Sequence, residues 1–128
     1  METTKKYLHE VHAEHLEFTA QLNFVTDELK TFNHRLEEVT TANTKLEVLQ
    51  QVEHFQNQFI RHKEVIDELK SMIHHHEEYI SDLAKANNVA TDHRKTEDHS
   101  ELREQMETFT KIYTNLKVEF LKFLSKTL

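Results

Sequence analysis

The sequence predicts an all-α fold, three long antiparallel amphipathic helices forming an elongated, coiled-coil-like bundle. Three observations carry this. The 128 residues contain no glycine and no proline, which removes the residues that tight hairpin turns and phosphate-cradling loops depend on. Apolar residues recur at alternating spacings of three and four, the signature of a helix with one buried seam. Two short breaks rich in Asn and Thr or charged residues divide the chain into three such segments.

The first segment carries Leu8, Val11, His15, Phe18, Leu22, Val25, Leu29, Phe32, Leu36 and Val39 on its stripe, and only His15 interrupts the apolar run. The second repeats the spacing as Val52, Phe55, Phe59, His62, Ile66, Leu69, Ile73, His76, Ile80 and Leu83, with two histidines in core positions. The third runs His99, Leu102, Met106, Phe109, Tyr113, Leu116, Phe120, Phe123 and ends weakly at Thr127. A seven-residue repeat held this long implies a gentle left-handed supercoil.

Boundaries follow from the breaks. Thr40, Thr41, Ala42, Asn43 and Thr44 are poor in strong helix formers, and Thr44 with Glu47 forms a capping-box pattern, so a second helix is expected to start near Lys45. Asn43 suits the C-cap position that glycine usually fills. The second break is expected to span about 87–96, with Asn87 or Asn88 as C-cap and Thr96 or Asp98 as the next N-cap. This gives one domain over residues 1–128, with helices at about 4–41, 45–86 and 97–126. Short connections make neighbouring helices antiparallel.

Composition narrows the function classes. Without cysteine there are no disulfides, thiolate nucleophiles or cysteine zinc sites. The polar start and the lack of a long apolar run lead to an expected cytoplasmic location and no membrane partner. A net charge of −7 disfavours nucleic acid as a partner. The charge is uneven. From Lys111 onward four lysines face one glutamate, leaving −10 on the first 110 residues, and lysines near a helix C-terminus complement its dipole. None of Ser71, Ser81, Ser100 and Ser125 sits in a nucleophile elbow, so the chain is read as no enzyme, with no catalytic residues.

The outlier is histidine, with eleven in 128 residues. Folding the helices antiparallel gathers His9, His12, His15, His74, His75, His76, His93 and His99 at one end, with Glu10, Glu14, Glu77, Glu78 and Asp82. Imidazole and carboxylate suit zinc, iron, copper or nickel. The candidate metal ligands are His12, His15, His76, Glu77 and His99. His15 and His76 point inward within about one layer of each other, His12 or Glu77 completes the set, and His99 is expected one or two layers further out. His62 is expected to face Leu29 and Phe120. There is no HExxH and no ExxH motif. His34-x-x-x-Glu38 and His62-x-x-x-x-Asp67 match spacings of hemerythrin-like proteins, but His34 and Glu38 fall on outward faces, which excludes that arrangement.

The segment Glu53-His54-Phe55-Gln56-Asn57-Gln58-Phe59-Ile60, followed by Glu64-Val65-Ile66-Asp67-Glu68-Leu69-Lys70, resembles a group of uncharacterised small all-helical bacterial proteins. The resemblance is greatest over residues 46–70 and implies a compact helical protein without implying a function. On the residues themselves, Phe55 and Phe59 are core and His54, Asn57 and Gln58 lie outward or at the seam edge.

Functionally, the leading expectation is a non-enzymatic bundle acting by self-association or by binding a protein partner, with no cofactor. Phe24, Ile60, Val65, Met72, Tyr79, Ile112, Leu121 and Leu124 lie off the stripes and supply apolar material for it. The alternatives are a metal-binding or metal-sensing bundle using the histidine-rich end, and a pH-responsive protein whose core imidazoles change charge near neutrality.

Overall fold

The computed structural model describes the backbone of residues 2–86 and 92–128 and the side chains of 7–85 and 99–128. Helix α1 spans Glu2–Ala42, α2 Leu46–Ala86 and α3 Asp92–Thr127. No strand occurs among the described residues. At about 1.5 Å per residue α1 and α2 are each about 60 Å long.

Cross-helix pairs give the directions. Phe32 meets Phe59 and His15 meets His76, so α1 and α2 are antiparallel. Glu14 meets Arg103, Glu28 meets Lys117 and Asn43 reaches Thr127, so α3 runs parallel to α1 and antiparallel to α2. Every stripe residue is buried except Leu8, His76 and Thr127, which are partly exposed. The two phenylalanines of the resemblance segment, Phe55 and Phe59, belong to the core.

Sequence chemistry explains the ends. Asn43 lies just past α1, where its side-chain amide donates to Val39 O and Thr127 O at 3.0 Å each. One amide thereby satisfies last-turn carbonyls of two helices, which would otherwise lack partners. Leu49 N donates to Lys45 O at 3.1 Å, so Lys45 holds the N-cap position and α2 starts one residue later than the Thr44–Glu47 pattern predicts. Helix α3 differs more. It begins at Asp92, so Thr96 and Asp98 lie inside the helix and not at its cap, because nothing in 92–98 breaks a helix. The C-cap candidates Asn87 and Asn88 lie outside the described residues. Threonines within the helices are accommodated by donating to the carbonyl four residues back, as Thr26 does to Leu22 and Thr110 to Met106.

The off-stripe apolar residues divide into two groups. Leu124 is buried, and Val65 and Met72 pack against the core. Phe24, Ile60 and Ile112 are exposed by 62%, 59% and 53%, and Leu121 and Tyr79 are also exposed. No helix among the described residues is long and apolar enough to cross a membrane.

Candidate metal centre

The heptad-like repeat places one inward-facing position of each helix in a common layer, and at this level all three positions are histidines. His15 of α1 and His99 of α3 are 2% and 3% exposed, and His76 of α2 is partly buried beside them. Ring centroids are 4.8 Å apart for His15 and His76, and 5.5 Å for His99 with each of the others. One ring nitrogen from each falls within 4.8 Å of the other two.

Carboxylates hold the outer sides of two of these rings. Glu77 accepts hydrogen bonds from His15 Nδ1 through one oxygen and from His12 Nδ1 through the other. Glu14 accepts both Nε (3.1 Å) and a terminal nitrogen of the Arg103 guanidinium, and its Oε2 lies 3.3 Å from His99 Nε2. His12 and Arg103 lie at the surface, so each carboxylate bridges a core imidazole to an exposed partner.

These contacts set the charges. Burial pushes the Glu14 carboxyl up, but hydrogen bonds from Arg103 and the neighbouring His99 imidazole outweigh it and hold the group below the usual carboxylate range. Glu77 is likewise pushed up by burial and brought below its ordinary value by His15 and His12. Both are therefore ionised near neutral pH. Burial takes His99 below the ordinary imidazole value, and the neighbouring Arg103 and His15 act in the same direction, against the opposing pull of Glu14. His99 is therefore neutral at pH 7, with a lone pair available.

Proton positions follow from donor and acceptor roles. An ionised Glu77 can only accept, so His15 Nδ1 carries a proton; in neutral His15 the lone pair is then on Nε2. There it accepts from His76 Nδ1 at 2.8 Å. Both ring nitrogens of His99 are buried and neither makes a hydrogen bond among the described residues, although Nε2 lies within ion-pair distance of Glu14. A buried nitrogen left this way is costly unless something fills the role of its partner.

All five sequence-predicted ligands thus come together, in altered roles. His15 and His76 are adjacent, as the stripe positions require. His99 is in contact with both and not one or two layers further out: the count assumed a later start for α3, and periodicity gives facing but not axial offset. His12 and Glu77 do not complete the ring set; Glu77 grips the far nitrogen of His15, and His12 holds Glu77 from outside. Sequence reasoning grouped Glu14 with the cluster without a role and missed Arg103. The signal for Arg103 was its place one turn after His99 on a helix parallel to α1.

The remaining histidines separate from this centre. His9 is exposed, and His74 pairs locally with Glu78 at 3.0 Å; the side chain of His93 lies outside the described residues. His34 and Glu38 are both exposed, engaged with Glu37 and Arg35. His62 is 5% exposed, and its ring neighbours are Phe109 and Tyr113 at 5.8 and 6.0 Å, in place of the expected Phe120. Its Nδ1 donates to Gln58 O at 2.8 Å, which fixes the tautomer within its own helix.

Comparison of the chain with family models, with curated proteins and with solved structures finds no match.

Proposed function

We propose that the protein is a transition-metal-binding helical bundle in which His15, His76 and His99 ligate one ion. The observation that carries this is the convergence of three imidazoles, one from each helix, with ring nitrogens within 4.8 Å of one another in the core. Tetrahedral coordination at the usual metal–nitrogen distance of about 2.0–2.1 Å places ligand nitrogens about 3.3 Å apart, so side-chain rotations of an ångström or so close the set around an ion. His15 Nε2 faces His76, and with His99 Nε2 turned toward Glu14 it is Nδ1 of His99 that is left to ligate. Glu77 and Glu14 then act as the outer carboxylates that commonly orient metal-bound imidazoles. An all-nitrogen set without thiolate suits zinc, copper(II) or nickel, and excludes preference for soft cuprous ions.

The test is calorimetric titration of the purified chain with Zn²⁺ and Ni²⁺. One ion per chain and a raised melting temperature are expected, and the double variant His15→Leu/His76→Leu is expected to remain helical and lose both. A His9→Ala variant is expected to behave as wild type. Binding that survives in the double variant shows that the ion sits elsewhere and refutes this centre.

Self-association is a second reading, supported by Phe24, Ile60 and Ile112, which leave large apolar side chains more than half exposed. It does not compete with metal binding. Light scattering on the same samples decides it, a stable 15.4 kDa species at high concentration counting against it.

A further inference from the structure

Building on the metal-binding reading, we infer that the ion in this centre keeps a fourth coordination position open to water and small anions, reached through the groove beside His76. Three observations lead to it. The two carboxylates nearest the imidazoles are already occupied: both oxygens of Glu77 take histidine N–H groups, and both oxygens of Glu14 take the Arg103 guanidinium. Recruiting either as a ligand would break those contacts and release the ring it orients.

Charge points the same way. Three neutral imidazoles leave a divalent ion with both its charges uncompensated by direct ligands, so hydroxide or another small anion is favoured in the remaining place. Three protein nitrogens plus water is the ligand count of zinc sites with exchangeable coordination, whereas sites that serve only structure are closed by four side chains.

Access is provided on one side. A groove of about 370 Å³ is lined by Met72, His75, His76, Tyr79, Glu101 and Leu102. His76 belongs both to this wall and to the imidazole cluster, so the groove runs up to one ring of the centre. The depression on the opposite side, about 490 Å³, is lined by His12 and Glu77 and so meets the outer carboxylate. Glu101 at the open groove makes approach of an anion less favourable, which gives the route a measurable signature.

The experiment uses Co²⁺ as a spectroscopic stand-in for zinc and azide as the probe anion. Cobalt loading is expected to give visible d–d bands that shift saturably as azide is added, with one azide per cobalt. Glu101→Gln is expected to speed azide association with the cobalt protein by about two- to fivefold by removing the repelling charge at the groove. If cobalt binds and azide leaves the bands unmoved, the chain supplies a fourth ligand and the inference fails while the metal centre stands. If azide associates equally fast with wild type and Glu101→Gln, the groove is not the route. If no cobalt binds at all, the metal-binding reading itself is overturned.

Discussion

The two ends of this bundle are built on the same repeat and filled with opposite chemistry. Towards the α1–α2 turn the core gathers five phenylalanines, Phe32, Phe55, Phe59, Phe120 and Phe123, beside Leu36, Val39 and Val52. Phe120 is fully buried and its ring lies 4.8 Å from Phe32, 5.2 Å from Phe55 and 5.1 Å from Phe59. At the other end the same seam is filled by His15, His76 and His99, with Glu77 on the outer side of His15 and Glu14 beside His99. Aromatic burial stabilises in proportion to the area removed from water. Buried imidazoles return little unless every nitrogen is partnered. Burial at the phenylalanine end therefore contributes more to stability than burial of the three imidazoles.

The largest effect expected from this contrast is at Phe120. Phe120→Ala should remove about 3–5 kcal/mol, the usual cost of deleting a buried ring that its surroundings cannot fill, read as a lower urea midpoint at unchanged slope. A loss below about 1 kcal/mol would mean that the aromatic end is not the main source of stability.

The opposite result is expected in the metal-free protein at the histidine end. His15→Leu/His76→Leu replaces a buried polar pair by apolar groups of similar size, so stability should stay within about 1 kcal/mol of wild type or rise. His12 keeps its contact with Glu77, which is solvent-accessible enough to hydrate its freed oxygen. A loss approaching that of Phe120→Ala would show the imidazoles to be structural, and the comparison between the ends would collapse.

The way these ends could be read in advance also differs. Facing was legible throughout, because a 3-4 spacing is a property of one helix, and each histidine on a stripe was found in the core or at its edge. Axial offset was not, because it depends on where a helix starts and on packing between helices. That is why His99 was placed too far from His15, and why His62 meets the rings of Phe109 and Tyr113 and not that of Phe120. The roles of Glu77 and Glu14 were out of reach for a related reason. At the sequence level both are ordinary acidic residues on helix flanks, and only the juxtaposition with His15, His99 and Arg103 distinguishes them from the solvated acids around them.

Between the ends lies a third polar device, and the smallest predicted effect concerns it. Tyr113 on α3 donates its hydroxyl to Glu28 Oε1 at 2.5 Å, and Lys117 donates to Glu28 Oε2 at 2.9 Å. The other titratable ring beside Tyr113 is His62 of α2, at 6.0 Å. Burial pushes the Tyr113 hydroxyl far above its ordinary value, and the Glu28 carboxylate adds to the shift. The unfolded chain releases this proton above about pH 10, while the fold retains it. The folded state then binds more protons, so stability falls as pH rises above about 10, and the contribution is fully present below it. Tyr113→Phe should cost about 1 kcal/mol below pH 10 for the lost hydrogen bond. Above that pH the gap between wild type and variant should narrow, since phenylalanine has no proton to lose in either state. Urea curves for the pair at pH 8, 9.5 and 11 measure it, and a gap that stays constant across that range would show that Tyr113 ionises as readily in the fold as in the open chain.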